Sequence, residues 1–348
     1  MTFDERTVLA PGYEISRVIR GGWQLAGDHG PVDHAALDDD FLAAYDGGVT
    51  TFDCADIYTG VEERIGDFRA AVAARFGAGR LARLKVHTKF VPDLAILPTI
   101  DRAYVRSIIE RSLRRLRVER LDLVQFHWWD YAVPGCEQTA LWLAELQAEG
   151  KIDLIGGTNF DTPRLEALVA AGVPVKTLQV QYSLLDTRPE AAMVAACGRL
   201  GVRLLCYGAL AGGFLSERWL GAPEPEALTN RSLIKYRLII EDIGGWALFQ
   251  DLLRALAAVA ARHGVTIPAV AARHVLDRPG VAAVIIGARG GDHLAATLAI
   301  GALRLTDRDR ADIDAVLARR APLAGDVYAL ERDRAGRHGA VMKYNLNR

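Results

Sequence analysis

Apolar and polar positions along the chain follow two alternating regimes. Short runs dense in Val, Ile and Leu are separated by longer stretches in which apolar residues recur at helical spacing. The apolar runs are SRVIRGGWQL, TTFDCA, LKVHTKF, LDLVQFHW, KIDLIGGTN, TLQVQYSL, VRLLCYGAL and VAAVIIGA, which give eight strand candidates. Between them lie amphipathic patterns such as AALDDDFLAAYDGG, VEERIGDFRAAVAARFG, RAYVRSIIERSLRRL, ALWLAELQAEG and TPRLEALVAAG. Apolar strands separated by helices predict a parallel sheet covered on both faces. Eight such units predict an α/β fold of the closed (β/α)8 TIM barrel type rather than an open sheet.

Two stretches exceed a plain barrel. The crossover between the seventh and eighth strand candidates is long, with helical patterns in GGWALFQDLLRALAAVAARHG and IPAVAARHVLDRP and a loop region over residues 215–244. After the eighth strand, DHLAATLAIGAL and RDRADIDAVLARR read as helices. A polar tail, residues 322–348, then carries Tyr328, His338, Met342 and Tyr344 and is expected to pack as structure. Residues 1–348 therefore read as one barrel domain with a C-terminal tail.

Composition narrows the function classes. The 42 basic residues nearly balance 43 acidic ones, and no basic stripe is interleaved with aromatics, so nucleic acid is not expected as a partner. The run RSLRRLRVER reads as the solvated face of an amphipathic helix. Cys54, Cys136, Cys197 and Cys206 lie far apart without a CxxC, against a disulfide framework or a zinc site. The charged N-terminal stretch lacks an apolar signal core, and no run reaches the roughly 20 apolar residues of a membrane span. The expectation is a cytoplasmic protein without a membrane partner; oligomeric state stays open.

Barrels of this class carry their chemistry at the carboxyl ends of the strands. Polar residues that close the apolar runs are therefore the candidates: Asp53 with Tyr58 five residues on, Lys89, His127, Thr158, Asn159, Gln179 and Tyr207. Singly, each has a bland reading as a helix cap, a solvated lysine or a core histidine. Asp53, Tyr58, Lys89 and His127 together suit one task, protonating a carbonyl oxygen while hydride attacks its carbon. A free tyrosine, with a pKa near 10, is a poor acid near neutrality. An adjacent ammonium is expected to lower that value. A carboxylate keeps the ammonium charged, and a neutral imidazole can hydrogen-bond and orient the carbonyl. The hydride has to come from a cofactor.

At these residues the chain resembles the aldo-keto reductase superfamily. FDCADIY resembles its aspartate–tyrosine segment, HTK its lysine segment and LDLVQFHW its histidine segment. GGTNF and LQVQY resemble the segments that hold the nicotinamide carboxamide. CYGALAGGFL resembles the stretch whose tyrosine stacks on nicotinamide before backbone that meets pyrophosphate, and VIIGAR the stretch near the adenosine phosphate. The resemblance implies Tyr58 as general acid, Lys89 and Asp53 as its tuning pair and His127 as the orienting group. It implies Gly22, Trp23 (with Gln24 beside it), Thr158, Asn159, Gln179, Tyr207, Gly208, Ala209, Leu210, Gly287, Arg289 and His293 around the cofactor. NADP (NADPH) is preferred, with NAD possible, because Arg289 suits a 2′-phosphate. Gly208 departs from the serine common in the family.

Trp23, Trp128 and Trp129 are candidate substrate neighbours, although Trp128 and Trp129 face opposite ways and only one can line the site. His87 reads as core filler, Glu62 and Glu63 as complements to a helix dipole, and Cys54 and Cys206 as apolar fillers. The resulting expectation is an enzyme, a carbonyl reductase or alcohol dehydrogenase acting on a small-molecule carbonyl or alcohol. A cofactor-binding regulatory subunit with little turnover is the alternative. A metal-dependent hydrolase built on His87, His127 and Asp53 is disfavoured, because no HxH pair is present and no metal is expected.

Overall fold

The structure, a computed structural model, describes residues 2–26, 34–287 and 293–347. It opens with a hairpin of β1 (Arg6–Ala10) and β2 (Tyr13–Ser16), paired antiparallel. The barrel follows as β3 (Val18–Gly21), β4 (Thr51–Asp53), β5 (Lys85–Phe90), β6 (Leu121–Phe126), β7 (Ile152–Thr158), β8 (Val175–Gln181), β9 (Arg203–Tyr207) and β10 (Val281–Gly287). These eight strands run parallel, and β10 pairs with β3 to close the cylinder. The eight predicted strands are the eight barrel staves.

Helices α1 (His34–Asp46), α2 (Val61–Leu81), α3 (Arg102–Leu116), α4 (Cys136–Ala148), α5 (Thr162–Ala170) and α6 (Met193–Leu200) connect successive staves. The long crossover holds α7 (Arg231–Ile243), α8 (Gly245–His263) and α9 (Ile267–Leu276). After β10 come α10 (Leu294–Ala302), α11 (Asp307–Leu317) and the single turn α12 (Ala329–Arg332). Local chemistry sets several starts. Asp101 and Asp161 each accept the backbone N–H three residues on, and Thr306 with Asp309 forms a capping box. In α3 the apolar positions Val105, Ile108, Ile109, Leu113 and Leu116 are buried, as the amphipathic pattern predicts.

Alternate strand positions divide the core in two. Outward-facing residues such as Phe52 meet the helices, where Phe41 and Phe68 pack at ring distances of 5.2 and 4.8 Å. Inward-facing Leu123, Leu154 and Leu205 pack with Tyr13 and Ile15 of the hairpin, which fills the barrel from its amino-terminal end. His87, fully buried, stacks 6.3 Å from Tyr13 and has no partner for either ring nitrogen among the described residues. Among the described residues no single helix is long and apolar enough to cross a membrane.

Two elements correct the sequence reading. Residues 215–244 are not a loop throughout, since α7 occupies Arg231–Ile243. The first strand run ends at Gly21, and Trp23–Leu25 forms a short 3₁₀ turn.

Candidate active site

Three adjacent staves bring their polar ends to one rim. The register sets Asp53 beside His87 and Lys89 beside Gln125. Lys89 Nζ donates to Asp53 Oδ1 at 2.6 Å and to the Cys54 carbonyl at 2.8 Å. It stands 5.1 Å from the centroid of the Tyr58 ring. Asp53 Oδ2 accepts from Gln125 at 3.0 Å and from Gln179 at 2.7 Å. No member of this Asp–Lys–Gln–Gln set is more than 5% exposed. Charges so far from water persist only when paired and hydrogen-bonded, as these are. Tyr58 lies in the turn before α2, partly exposed, with the Trp23 ring 5.1 Å away.

Burial pushes the Tyr58 phenol up to about 12, with Lys89 pulling in the opposite direction. This reverses the lowered value expected from the sequence: desolvation of the phenolate outweighs the ammonium. Burial also acts to lower Lys89, but Asp53 and Tyr58 hold it above the ordinary lysine value. Burial, reinforced by the Arg332 guanidinium, lowers His127 to about 3. Its Nδ1 lies 2.9 Å from the Thr158 carbonyl, so a neutral ring donates there. Nε2 is buried and has no partner among the described residues.

The other predicted residues ring this centre. Gly22 donates to the Asp53 carbonyl at 2.7 Å, and a Cβ at Gly22 would approach that oxygen to 2.9 Å. Asn159 has a left-handed backbone, φ +60°, and its Oδ1 accepts from the Tyr207 hydroxyl at 2.8 Å. Gln179 reaches into the barrel, its amide nitrogen committed to Asp53 and Gln125. Gly208, Ala209 and Leu210 follow β9, and their backbone N–H groups meet no acceptor among the described residues. Gly208 has φ +75°, and a Cβ there would overlap the Tyr236 hydroxyl of α7, which accounts for glycine in place of serine. Gly287 closes β10 beneath the Gln24 side chain. His293 precedes α10 on the surface, beside a small cleft that also involves Arg20, Asp40 and Thr297. Arg289 lies outside the described residues.

The two tryptophans separate as strand parity requires. Trp129 packs edge-on against His127, ring centres 4.3 Å apart. Trp128 is fully buried, packs on Phe126 and donates to the Val133 carbonyl. That placement removes Trp128 from the set of substrate neighbours.

Sequence reasoning missed a second layer. Glu62 does more than complement a dipole: fully buried, it accepts from Thr88 Oγ1 at 2.6 Å and pairs with Arg115. The tail covers the site. Tyr328, itself left-handed at φ +61°, sets its ring 5.8 Å from His127, and Tyr344 packs 5.2 Å from Trp129. Glu331, buried, accepts from Arg188 and lies 3.3 Å from Lys235 of α7, while Arg188 also pairs with Asp186. Burial acts to raise Glu331, but Lys235 and Arg188 bring it down to about 2. A helical signal for α7 was legible: Asn230 caps it, and apolar Leu233, Tyr236, Ile240 and Ile243 recur on one face. Nothing local marks Glu331 or Arg332, because their partners lie more than 80 residues away in sequence. Among the described residues, no group of three His, Cys, Asp or Glu side chains could hold a metal.

Aldo-keto reductase YhdN of Bacillus subtilis is 30% identical over 217 residues, 61% of this chain and 63% of that protein. The NADH-specific methylglyoxal reductase of Escherichia coli is 24% identical over 315 residues, 85% of this chain and 92% of that protein. The solved glycerol dehydrogenase of Gluconobacter oxydans superposes with a TM-score of 0.73 at 26% identity, covering 90% of this chain and 94% of its own. The chain spans less than two thirds of the length of the curated relatives it matches at 28–31% identity. The sequence pattern of the aldo/keto reductase family matches residues 17–318, and those residues form the closed barrel and its rim. The chain therefore belongs to the aldo/keto reductase family of oxidoreductases.

Proposed function

We propose that the chain reduces an aldehyde or ketone to an alcohol, or runs the reverse reaction, with a nicotinamide dinucleotide as hydride carrier. The observation that carries this reading is Lys89, which bridges the Asp53 carboxylate at 2.6 Å and the face of Tyr58 at 5.1 Å. Protonated at neutral pH, the Tyr58 phenol is the acid that hands a proton to the carbonyl oxygen. The fixed charge of Lys89 stabilises the phenolate left behind, and Asp53 keeps Lys89 charged and placed. His127 gives its Nδ1–H to Thr158, so its Nε2 carries a lone pair. It therefore accepts from the alcohol hydroxyl instead of donating to the carbonyl.

A dinucleotide suits the residues present. Consecutive N–H groups at Gly208, Ala209 and Leu210 without acceptors form a cradle for a phosphate. Asn159 keeps its amide N–H groups for a carboxamide, while Tyr207 offers a ring beside it. When bound, the cofactor supplies or takes up the hydride. NADP is our preferred form through Arg289, and both forms merit assay because one relative is NADH-specific by name.

The test follows NADPH and NADH oxidation with a panel of aldehydes and ketones. Turnover of at least one carbonyl is expected. Tyr58→Phe should lose about 10²–10⁴-fold in kcat while the dinucleotide Kd stays within twofold. A folded, dinucleotide-binding protein that turns over no carbonyl would overturn the reading.

A further inference from the structure

Arg332 makes four hydrogen bonds and none is to a carboxylate. Its Nη1 donates to the Trp128 and Trp129 carbonyls, both at 3.0 Å. Its Nη2 donates to the Tyr131 hydroxyl at 2.8 Å and to the Asn159 carbonyl at 2.7 Å. The guanidinium also lies 3.7 Å from the centroid of the Tyr131 ring. A half-buried cation normally seeks an acid, and Arg332 is ion-paired to none among the described residues. Three of its four acceptors, the backbone carbonyls, share one feature, which is their place in the fold. The Trp128 and Trp129 carbonyls directly follow His127, and the Asn159 carbonyl directly follows Thr158, the acceptor for His127 Nδ1.

Two loop ends that carry the site are thus tied by one planar fork from the tail. Asn159 needs such a tie, since its left-handed backbone is costly without external restraint. The fork is itself anchored: neighbouring Glu331 is locked to Arg188 and Lys235, and Tyr328 closes on His127. All three tail residues lie beyond residue 318, where the family match ends. We propose that Arg332 is a positioning residue, which fixes His127 and Asn159 for the carbonyl reaction by holding the ends of β6 and β7. The proposal rests on the functional reading above. The positive charge also reinforces burial in keeping His127 neutral.

The test compares wild type, Arg332→Ala and Arg332→Lys in the full chain. A displacement on the order of 1 Å at reacting groups costs about 10²-fold in rate. Arg332→Ala is therefore expected to lose about 10²-fold in kcat. Guanidinium ion should restore part of that loss where equimolar urea does not. Arg332→Lys should recover little, because one ammonium cannot span four acceptors. Wild-type kcat in Arg332→Ala, or in a folded Arg332→Lys should the alanine variant not fold, overturns the proposal. So does a rate loss that guanidinium fails to rescue. A second readout is independent of turnover: the imidazole ¹⁵N signals of His127, assigned by their loss in His127→Asn. In wild type they should report one neutral tautomer protonated at Nδ1, and in Arg332→Ala or Arg332→Lys a shifted or averaged ring. An unchanged ring overturns the positioning role even if wild type reduces no carbonyl, an outcome that alone would defeat only the functional reading.

Discussion

Two buried charge clusters sit within the same mouth and are built on different principles. The first, Asp53–Lys89 with Gln125 and Gln179, comes from the ends of barrel staves, three of them adjacent. Strand register alone brings those side chains together. The second, Asp186–Arg188–Lys235–Glu331, joins a loop after β8, helix α7 and the tail. No ladder connects these pieces; they meet through these ion pairs and through an apolar cluster that includes Leu184, Leu185, Ile240 and Leu330. A cluster of the first kind presents reacting groups on a rigid frame. A cluster of the second kind links the tail to α7 and to the loop after β8. Burial has one cost in both, and removing one partner strands the other.

The largest effect should come from breaking the first cluster. Lys89→Met leaves the Asp53 carboxylate buried with only two amide donors, which should cost about 3–5 kcal/mol in a denaturant titration. Carbonyl turnover should fall by at least the amount seen with Tyr58→Phe. Stability close to wild type would show that the buried Asp53 carboxylate does not depend on Lys89.

Glu331→Gln attacks the second cluster. It should cost about 1.5–3 kcal/mol through lost charge-assisted hydrogen bonds, read as faster proteolysis within residues 322–348. The barrel's own unfolding should change less than in Lys89→Met, and this contrast is what separates the two clusters. Acid should imitate the mutation. Glu331 is held at about 2, below the ordinary value of 4.5, so its contribution is complete above pH 4.5 and lost as the pH falls toward 2. Near-UV circular dichroism of the tail's tyrosines would follow that loss.

Gly208→Ala strains the seat of α7. The left-handed backbone costs about 1–2 kcal/mol for a residue with a Cβ, before any clash with Tyr236. A lower melting temperature together with cleavage near residues 215–244 is the expected result. An unchanged melting temperature would show that α7 is not seated on Gly208.

The smallest effect belongs to His87. Burial, aided by Lys89 and Lys85, keeps this ring neutral down to about pH 3, while an unfolded histidine titrates at 6.5. Its contribution is complete above pH 6.5 and is lost as the pH drops toward 3. His87→Leu should remove up to one proton from the pH dependence of unfolding near pH 5 and leave stability at pH 7 nearly unchanged. An acid slope equal to wild type would rule out a neutral buried ring.

The barrel was legible in the sequence because each stave is a short apolar run, and several carry a polar residue at or just beyond their carboxyl end. Asp53, Lys89, His127 and Thr158 could be placed at one rim from that alone. The β1–β2 hairpin was missed because RTVLA and YEIS are short and partly charged, although Pro11–Gly12 between them is a turn signal. Trp128 proves fully buried, and parity tells that two neighbours diverge and not which one turns toward the site. The lowered phenol failed for a different reason: a chain lists charges but not how much water surrounds them.

By itself, the sequence determined the repeating stave-and-helix order and the four polar residues at the carboxyl ends of the strands, because period and position survive in one dimension. Tertiary structure decided how deeply those groups are desolvated, which tautomer His127 holds and that α7 and the tail close over the mouth. Those outcomes depend on contacts between residues far apart in the chain, such as Glu331 with Arg188 and Arg332 with Trp128. Local propensity carries no record of such pairings.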